Sequence, residues 1–217
     1  MTQLIAIVGM GEGNGMAIAR RFAREGFAVA MMARNPAKLQ SYQAALQDEG
    51  ITAHYFVADA GDKASLEEAF AAIEAQLGSP DVLVYNAAIP RMQNVLETSF
   101  DNLVSDFQAN VAGALVATQA VLSGMQTDQK TGTILFTGGG FALYPHPDFA
   151  SLSIGKAGIR SLAYILGAAL EPQGIKVGTI TISGTVDESD AKYNPTAIAE
   201  QYWTFHAMPQ SEVEVVY

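Results

Sequence analysis

The stretch Leu4-Ile5-Ala6-Ile7-Val8-Gly9-Met10-Gly11-Glu12-Gly13-Asn14-Gly15 constrains this chain more than any other. An apolar run fit for a buried strand ends in four glycines at alternating positions, and a helical pattern follows at once. Glycine adopts backbone angles other residues avoid and lets a ligand approach the main chain closely. A strand, a glycine turn and a helix N-terminus together offer free N–H groups and a positive dipole end, the makings of a pyrophosphate site.

The spacing narrows the choice. The pattern G-x-G-x-x-G fails in every register, because its third glycine would fall on Asn14, Met16 or Ile18. Gly9, Gly13 and Gly15 instead fit G-x-x-x-G-x-G. No glycine-lysine pair is followed by Ser or Thr, which excludes a phosphate P-loop. The plainer alternative is a glycine turn that only packs a helix on a strand.

Downstream, strand and helix patterns alternate. Strands are expected over Leu4–Val8, Phe27–Ala33, His54–Ala58, Asp81–Tyr85, Thr133–Thr137 and Ile175–Ile182, with a final one over Glu212–Val216. Helices are expected at about Asn14–Glu25, from Pro36 behind an Asn35 cap to Glu49, behind Asp62, over Ser99–Met125 and over Ser153–Glu171. A short helix opens at Asn194-Pro195 and runs to Phe205. Such alternation implies right-handed crossovers and a parallel sheet covered on both faces, with ligands at the carboxyl ends of the strands. One domain over residues 1–217 is expected, closed by a short helix and strand at about 195–217.

Composition closes off other classes. Half the chain is apolar, and the net charge of −10 argues against nucleic acid or an anionic membrane as a partner. Without cysteine there is no disulfide, thiol catalysis or thiolate metal site. His54, His146 and His206 are scattered without metal-ligand spacing, so no metal site is expected. No G-x-S-x-G elbow supports a serine hydrolase. With no signal peptide or membrane-length apolar run in view, a cytoplasmic protein is expected.

At this point the chain resembles the short-chain dehydrogenase/reductase family, from residue 1 to about residue 188. The Gly9-x-x-x-Gly13-x-Gly15 turn matches that family's pyrophosphate motif, and Asp59 follows the third strand where the family places an acid near the adenine ring. Tyr85-Asn86-Ala87-Ala88 is similar to its N-N-A-G, Asn110-Val111-Ala112-Gly113 to its N-x-x-G, and Ser183-Gly184-Thr185-Val186 to its nicotinamide-closing P-G-x-V. Lys156 falls where the family's catalytic lysine belongs, and Asn110 where its helix asparagine does. The resemblance implies an α/β Rossmann-like fold and a dinucleotide held by Gly9, Gly11, Glu12, Gly13, Asn14, Gly15, Arg34, Asp59, Ala60, Asn86, Ala87, Lys156, Gly184 and Val186.

An acid at the end of the second strand would hydrogen-bond an NAD ribose hydroxyl. Here Met32 and Ala33 stand in that region and Arg34 follows, so a guanidinium is available for a 2′-phosphate and NADP(H) is favoured over NAD(H). Glu12 in the glycine turn opposes this. Arg34 as a solvated helix-start residue is the plainer alternative.

The chemistry departs from the family. Its Y-x-x-x-K places the proton-donating phenol where this chain has Leu152, and its upstream serine falls on Gly139. Asn110 and Lys156 are retained as catalytic candidates. Tyr144, His146, Ser151 and Ser153 are nearby replacements, Tyr144 first among them. Three readings stay open: an oxidoreductase acting on a carbonyl or alcohol with an atypical site, a non-catalytic dinucleotide-binding sensor or regulatory subunit, or a structural subunit whose glycine turn is a relic of the fold. Tyr202, Trp203 and His206 line a pocket or belong to the core. The short stretch after Gly184 predicts no large substrate lid. The apolar helices over Ser99–Met125 and Ser153–Glu171 predict a homo-oligomer, a dimer or tetramer, since relatives pair through them.

Overall fold

The computed structural model describes residues 2–126, 132–209 and 212–217. Within them, seven strands form one parallel sheet: β1 (Leu4–Val8), β2 (Ala28–Ala33), β3 (Ala53–Val57), β4 (Val82–Tyr85), β5 (Thr133–Gly139), β6 (Lys176–Ile182) and β7 (Glu214–Val216). Their order is β3-β2-β1-β4-β5-β6-β7. The order reverses between β1 and β4, whose registers pair Val8 with Met32 on one side and with Tyr85 on the other. That reversal opens a crevice at the carboxyl ends, where such sheets bind ligands.

Among the described residues seven α-helices flank it: α1 (Asn14–Ala23), α2 (Pro36–Asp48), α3 (Lys63–Leu77), α4 (Phe100–Phe107), α5 (Gly113–Gln126), α6 (Ala150–Leu170) and α7 (Pro195–Ala207). Alternate residues of β1 divide between two cores. Leu4, Ala6 and Val8 pack with Phe70, Ala117, Phe136 and Ile159 under α3, α5 and α6. Ile5 and Ile7 pack with Ile18, Phe22, Leu39, Ile198 and Tyr202 under α1, α2 and α7. The doubly wound architecture matches the sequence expectation. No helix among the described residues is long and apolar enough to cross a membrane.

Four helix starts follow their capping residues; at α4 the Ser99 hydroxyl accepts from the Asn102 amide. The side chains of Asn35, Asp62 and Asn194 accept from the amides of Lys38, Ser65 and Ala197, and Pro36 and Pro195 open their helices. The helical region expected over Ser99–Met125 is present as α4 and α5, joined without a break by a π-helical turn over Gln108–Ala112; the start of α6 needs correction. The widened turn redirects main-chain groups, and the Tyr85 phenol donates to the Ala109 carbonyl at 2.5 Å. The helix expected from Ser153 starts at Ala150 behind Phe149, which has no capping side chain. The Ser153 hydroxyl, one turn inside the helix, accepts from the His146 amide at 3.1 Å.

Candidate dinucleotide site

The glycine turn is pinned by both neighbouring strands. The amides of Gly9 and Met10 donate to the Met32 carbonyl at 2.9 and 3.0 Å, and the Asn86 amide donates to Val8 at 2.8 Å. Gly9 has φ +87°, and a Cβ there would lie 2.4 Å from the Ala87 nitrogen, so only glycine fits. Gly11 and Gly13 differ in kind. A Cβ on either would meet no protein atom within 4 Å, so packing alone does not demand their bareness. The first bonds back into the turn come from Met16 to Gly11 and Ala17 to Gly13, ahead of which the amides of Asn14 and Gly15 precede the helical ladder. The Asn14 Oδ1 is buried without a hydrogen-bond partner. These open glycine faces, early amides and orphaned oxygen fit a bound pyrophosphate group.

A cleft of about 230 Å³ next to the turn brings together Gly9, Arg34, Asp59, Ala60, Asn86 and Ala87. Arg34 also borders a shallow depression with Gly11, Glu12 and Lys38. Lys38, in the first turn of α2, is a second cation there that no motif marks; Arg34 lies before the Asn35 cap, so helical spacing does not link the two. Glu12 and Gly13 border a third hollow between α1 and α7, where Arg20, Arg21 and Arg24 also lie. Lys156, Asn110, Tyr144, Gly184 and Val186 line none of these three.

Lys156 projects from α6 toward the end of β5. Its Nζ donates to the Thr137 carbonyl at 2.7 Å, and burial pushes its pKa down to about 8. Its methylenes occupy the space beside Gly139, where a Cβ would stand 3.3 Å from Lys156 Cε. Leu152 is buried on the first turns of α6. The two serines beside it are engaged. Ser151 Oγ donates to Asp106 at 2.7 Å, and Ser153 Oγ meets the His146 main chain. Asp106 is fully buried and also receives the Arg91 guanidinium at 2.7 and 2.9 Å, which holds its carboxyl below the usual carboxylate range.

Asn110 sits inside the π turn. Its Oδ1 accepts from the Ile89 amide at 2.7 Å, while its Nδ2 is buried without a partner. Gly155 makes room for it, since a Cβ there would lie 2.7 Å from Asn110 Cβ. Tyr144 stands 78% exposed. Gly184 lies under the Tyr193 ring, where a Cβ would be 2.2 Å from Cε2, and the Asp187 amide donates to the Tyr193 carbonyl. The loop after β6 is thus folded back on itself. Tyr202 belongs to the core, whereas Trp203 packs edge-on to Phe22 at 5.4 Å under the Arg21 guanidinium. His206 Nδ1 lies 2.9 Å from Thr133 Oγ1. The described residues contain no cluster of potential metal ligands.

Residues 3–197 match the short chain dehydrogenase family. The chain is 30% identical over 188 residues to 2,3-dihydro-2,3-dihydroxybenzoate dehydrogenase of Bacillus subtilis, covering 87% of this chain and 71% of that protein. It is 32% identical over 190 residues to 2-(S)-hydroxypropyl-CoM dehydrogenase 3 of Xanthobacter autotrophicus, covering 84% and 73%. Among solved structures it is similar to an alcohol dehydrogenase of the archaeon Thermococcus sibiricus complexed with 5-hydroxy-NADP. That likeness has a TM-score of 0.87 at 22% identity, over 99% and 95% of the two chains. It is also similar to an apo short chain oxidoreductase of Pseudomonas aeruginosa PAO1 containing an atypical catalytic center. There the TM-score is 0.85 at 22% identity, over 96% and 91%. At such identities these two likenesses speak for the fold.

Proposed function

This chain belongs to the short-chain dehydrogenase family, and on that premise we propose that it binds NADP(H) and acts as an oxidoreductase on a carbonyl or alcohol through an atypical site. The observation that carries the reading is the glycine turn, whose Gly11 and Gly13 faces are open where protein packing does not need them open. In this reading the amides of Asn14 and Gly15 hold the pyrophosphate. Arg34, with Lys38 on the same depression, holds the 2′-phosphate, and their two cations outweigh the Glu12 carboxylate that borders it. Asp59 and Ala60 border the adenine, and Asn86 and Ala87 wall the cleft beside Gly9. Gly184 and Val186 border the nicotinamide.

When bound, the nicotinamide supplies or takes up the hydride. Lys156 holds the adjoining ribose hydroxyls after leaving the Thr137 carbonyl, and Asn110 supports α6 beside it through Gly155. Leu152 has no proton to give and Gly139 no hydroxyl, so the substrate oxygen takes its proton from solvent or from an exposed group such as Tyr144.

One observation favours a second reading, a dinucleotide-binding sensor without turnover. The hydroxyls flanking Leu152 are engaged by Asp106 and His146, and the one ammonium is turned to a carbonyl.

Fluorescence titration with NADPH and NADH, followed by a panel of carbonyl substrates, tests both. NADPH is expected to bind more tightly than NADH, and Arg34→Ala to weaken NADPH about tenfold while sparing NADH. Failure of both nucleotides to bind at millimolar concentration overturns the first reading and the second. Binding without turnover selects the sensor.

A further inference from the structure

Four residues distant in sequence form one hydrogen-bond chain, running from the core at Tyr202 to the cleft at Gly9. Tyr202 and Thr137 hydroxyls are 2.6 Å apart, Thr137 Oγ1 donates to Asn86 Oδ1 at 2.9 Å, and Asn86 Nδ2 donates to the Gly9 carbonyl at 2.9 Å. The directions are determined by chemistry. An amide oxygen only accepts, so the Thr137 proton goes to Asn86, and the Tyr202 phenol must then donate to Thr137. Tyr202 is fully buried on α7, in the core shared with α1 and α2. Its phenol therefore reaches the sheet from the face opposite α6, which carries Lys156. Thr137 is gripped from both sides, its hydroxyl by Tyr202 and its carbonyl by Lys156 at 2.7 Å.

We propose that Tyr202 is a positioning residue for dinucleotide binding, which holds the Gly9 turn and the Lys156 acceptor in place through Thr137 and Asn86. The proposal rests on the dinucleotide reading above for its functional consequence, but not for its structural one. Beyond the close packing of Gly9 on Ala87, the turn has few polar contacts at this point. The Gly9 carbonyl is held by Asn86, and the Gly9 and Met10 amides both depend on the single Met32 carbonyl. Without the phenol, Thr137 keeps a donor but loses the contact that fixes its rotamer, so the strain-free placement of Asn86 and Gly9 becomes one of several. A valine at 137 does more, since it orphans both the phenol and the Asn86 oxygen.

The test compares Tyr202→Phe, Thr137→Val and Thr137→Ser with Ile198→Val, a packing change elsewhere on buried α7. Amide exchange on the nucleotide-free protein is expected to be at least about fivefold faster at Gly9 and Met10 in Tyr202→Phe and Thr137→Val than in Ile198→Val, with Thr137→Ser unchanged. NADPH titration is expected to show about a fivefold weaker affinity in the same two variants only. Wild-type protection at Gly9 and Met10 in Tyr202→Phe, or equal loss in Ile198→Val, overturns the proposal. If the wild type binds no NADPH, the dinucleotide reading falls and the exchange rates alone decide this one.

Discussion

Lys156 lies across Gly139, its Cε 3.3 Å from where a Cβ would stand, and its ammonium donates to the Thr137 carbonyl two residues upstream. The bare main chain at 139 is what lets the lysine lie so close to β5. Burial and this one acceptor set the behaviour of its amine.

The lysine should make stability depend on alkaline pH. Its folded pKa of about 8 lies below the ordinary value of 10.5, so between those values the unfolded chain binds more protons and stability rises with pH. Against wild type, Lys156→Met is expected to be more stable at pH 7, by at most about 3 kcal/mol. The gap should close as pH passes from about 8 to 10.5. Urea unfolding at pH 7 and pH 10 measures it, and a gap that is constant with pH refutes it.

Gly139→Ser together with Leu152→Tyr should install a hydroxyl and a phenol beside Lys156. The serine displaces only the flexible end of the lysine, because its Cβ would meet Lys156 Cγ, Cδ and Cε at 3.3–3.5 Å. Carbonyl reduction by the double variant is expected to rise by about 10² over wild type. NADPH binding that is retained with no gain in rate would show that the substrate pocket is lost as well.

Asp106 should be a stabilising carboxylate despite its complete burial, because Arg91 and Ser151 both donate to it. Asp106→Asn is expected to cost about 2 kcal/mol at pH 7. Since pairing with Arg91 lowers its pKa, the contribution is full above about pH 4 and is lost as pH falls further through the folded value. Thermal unfolding at pH 7 and pH 3 should show the full wild-type advantage at the first and a smaller one at the second.

Exposed apolar side chains on α4, α5 and α6 include Phe107, Leu115, Ile154 and Ile165, the last 62% exposed. We expect self-association through these helices, and Ile165→Glu to weaken it. Sedimentation at micromolar concentration should give a dimer or larger species for wild type. A clean monomer counts against it.

Much of the fold was legible because its signals are local. The β1 strand, the glycine turn and the Asn35, Asp62 and Asn194 caps each act within a few residues, where a hydrogen bond or a φ angle is decided by near neighbours. Ser153 shows the limit of such reading. The apolar pattern places the start of α6 there, but the helix begins three residues earlier at Ala150, and Ser153 Oγ meets the main chain of the preceding loop. The π turn had no local cue, since it is supported by Tyr85 and by the Ile89 amide from another element.

By itself the sequence determined the alternation of strands and helices, the glycine turn and the residue types at 139, 152 and 156. Tertiary structure alone decided which groups meet. It set Asp106 against Ser151, and it put the Tyr202 phenol on Thr137, a residue that also holds Lys156 by its carbonyl. The physical reason is that a parallel sheet stacks distant segments on its two faces, so a strand residue's side chain and carbonyl answer to different helices. No spacing along the chain encodes that pairing.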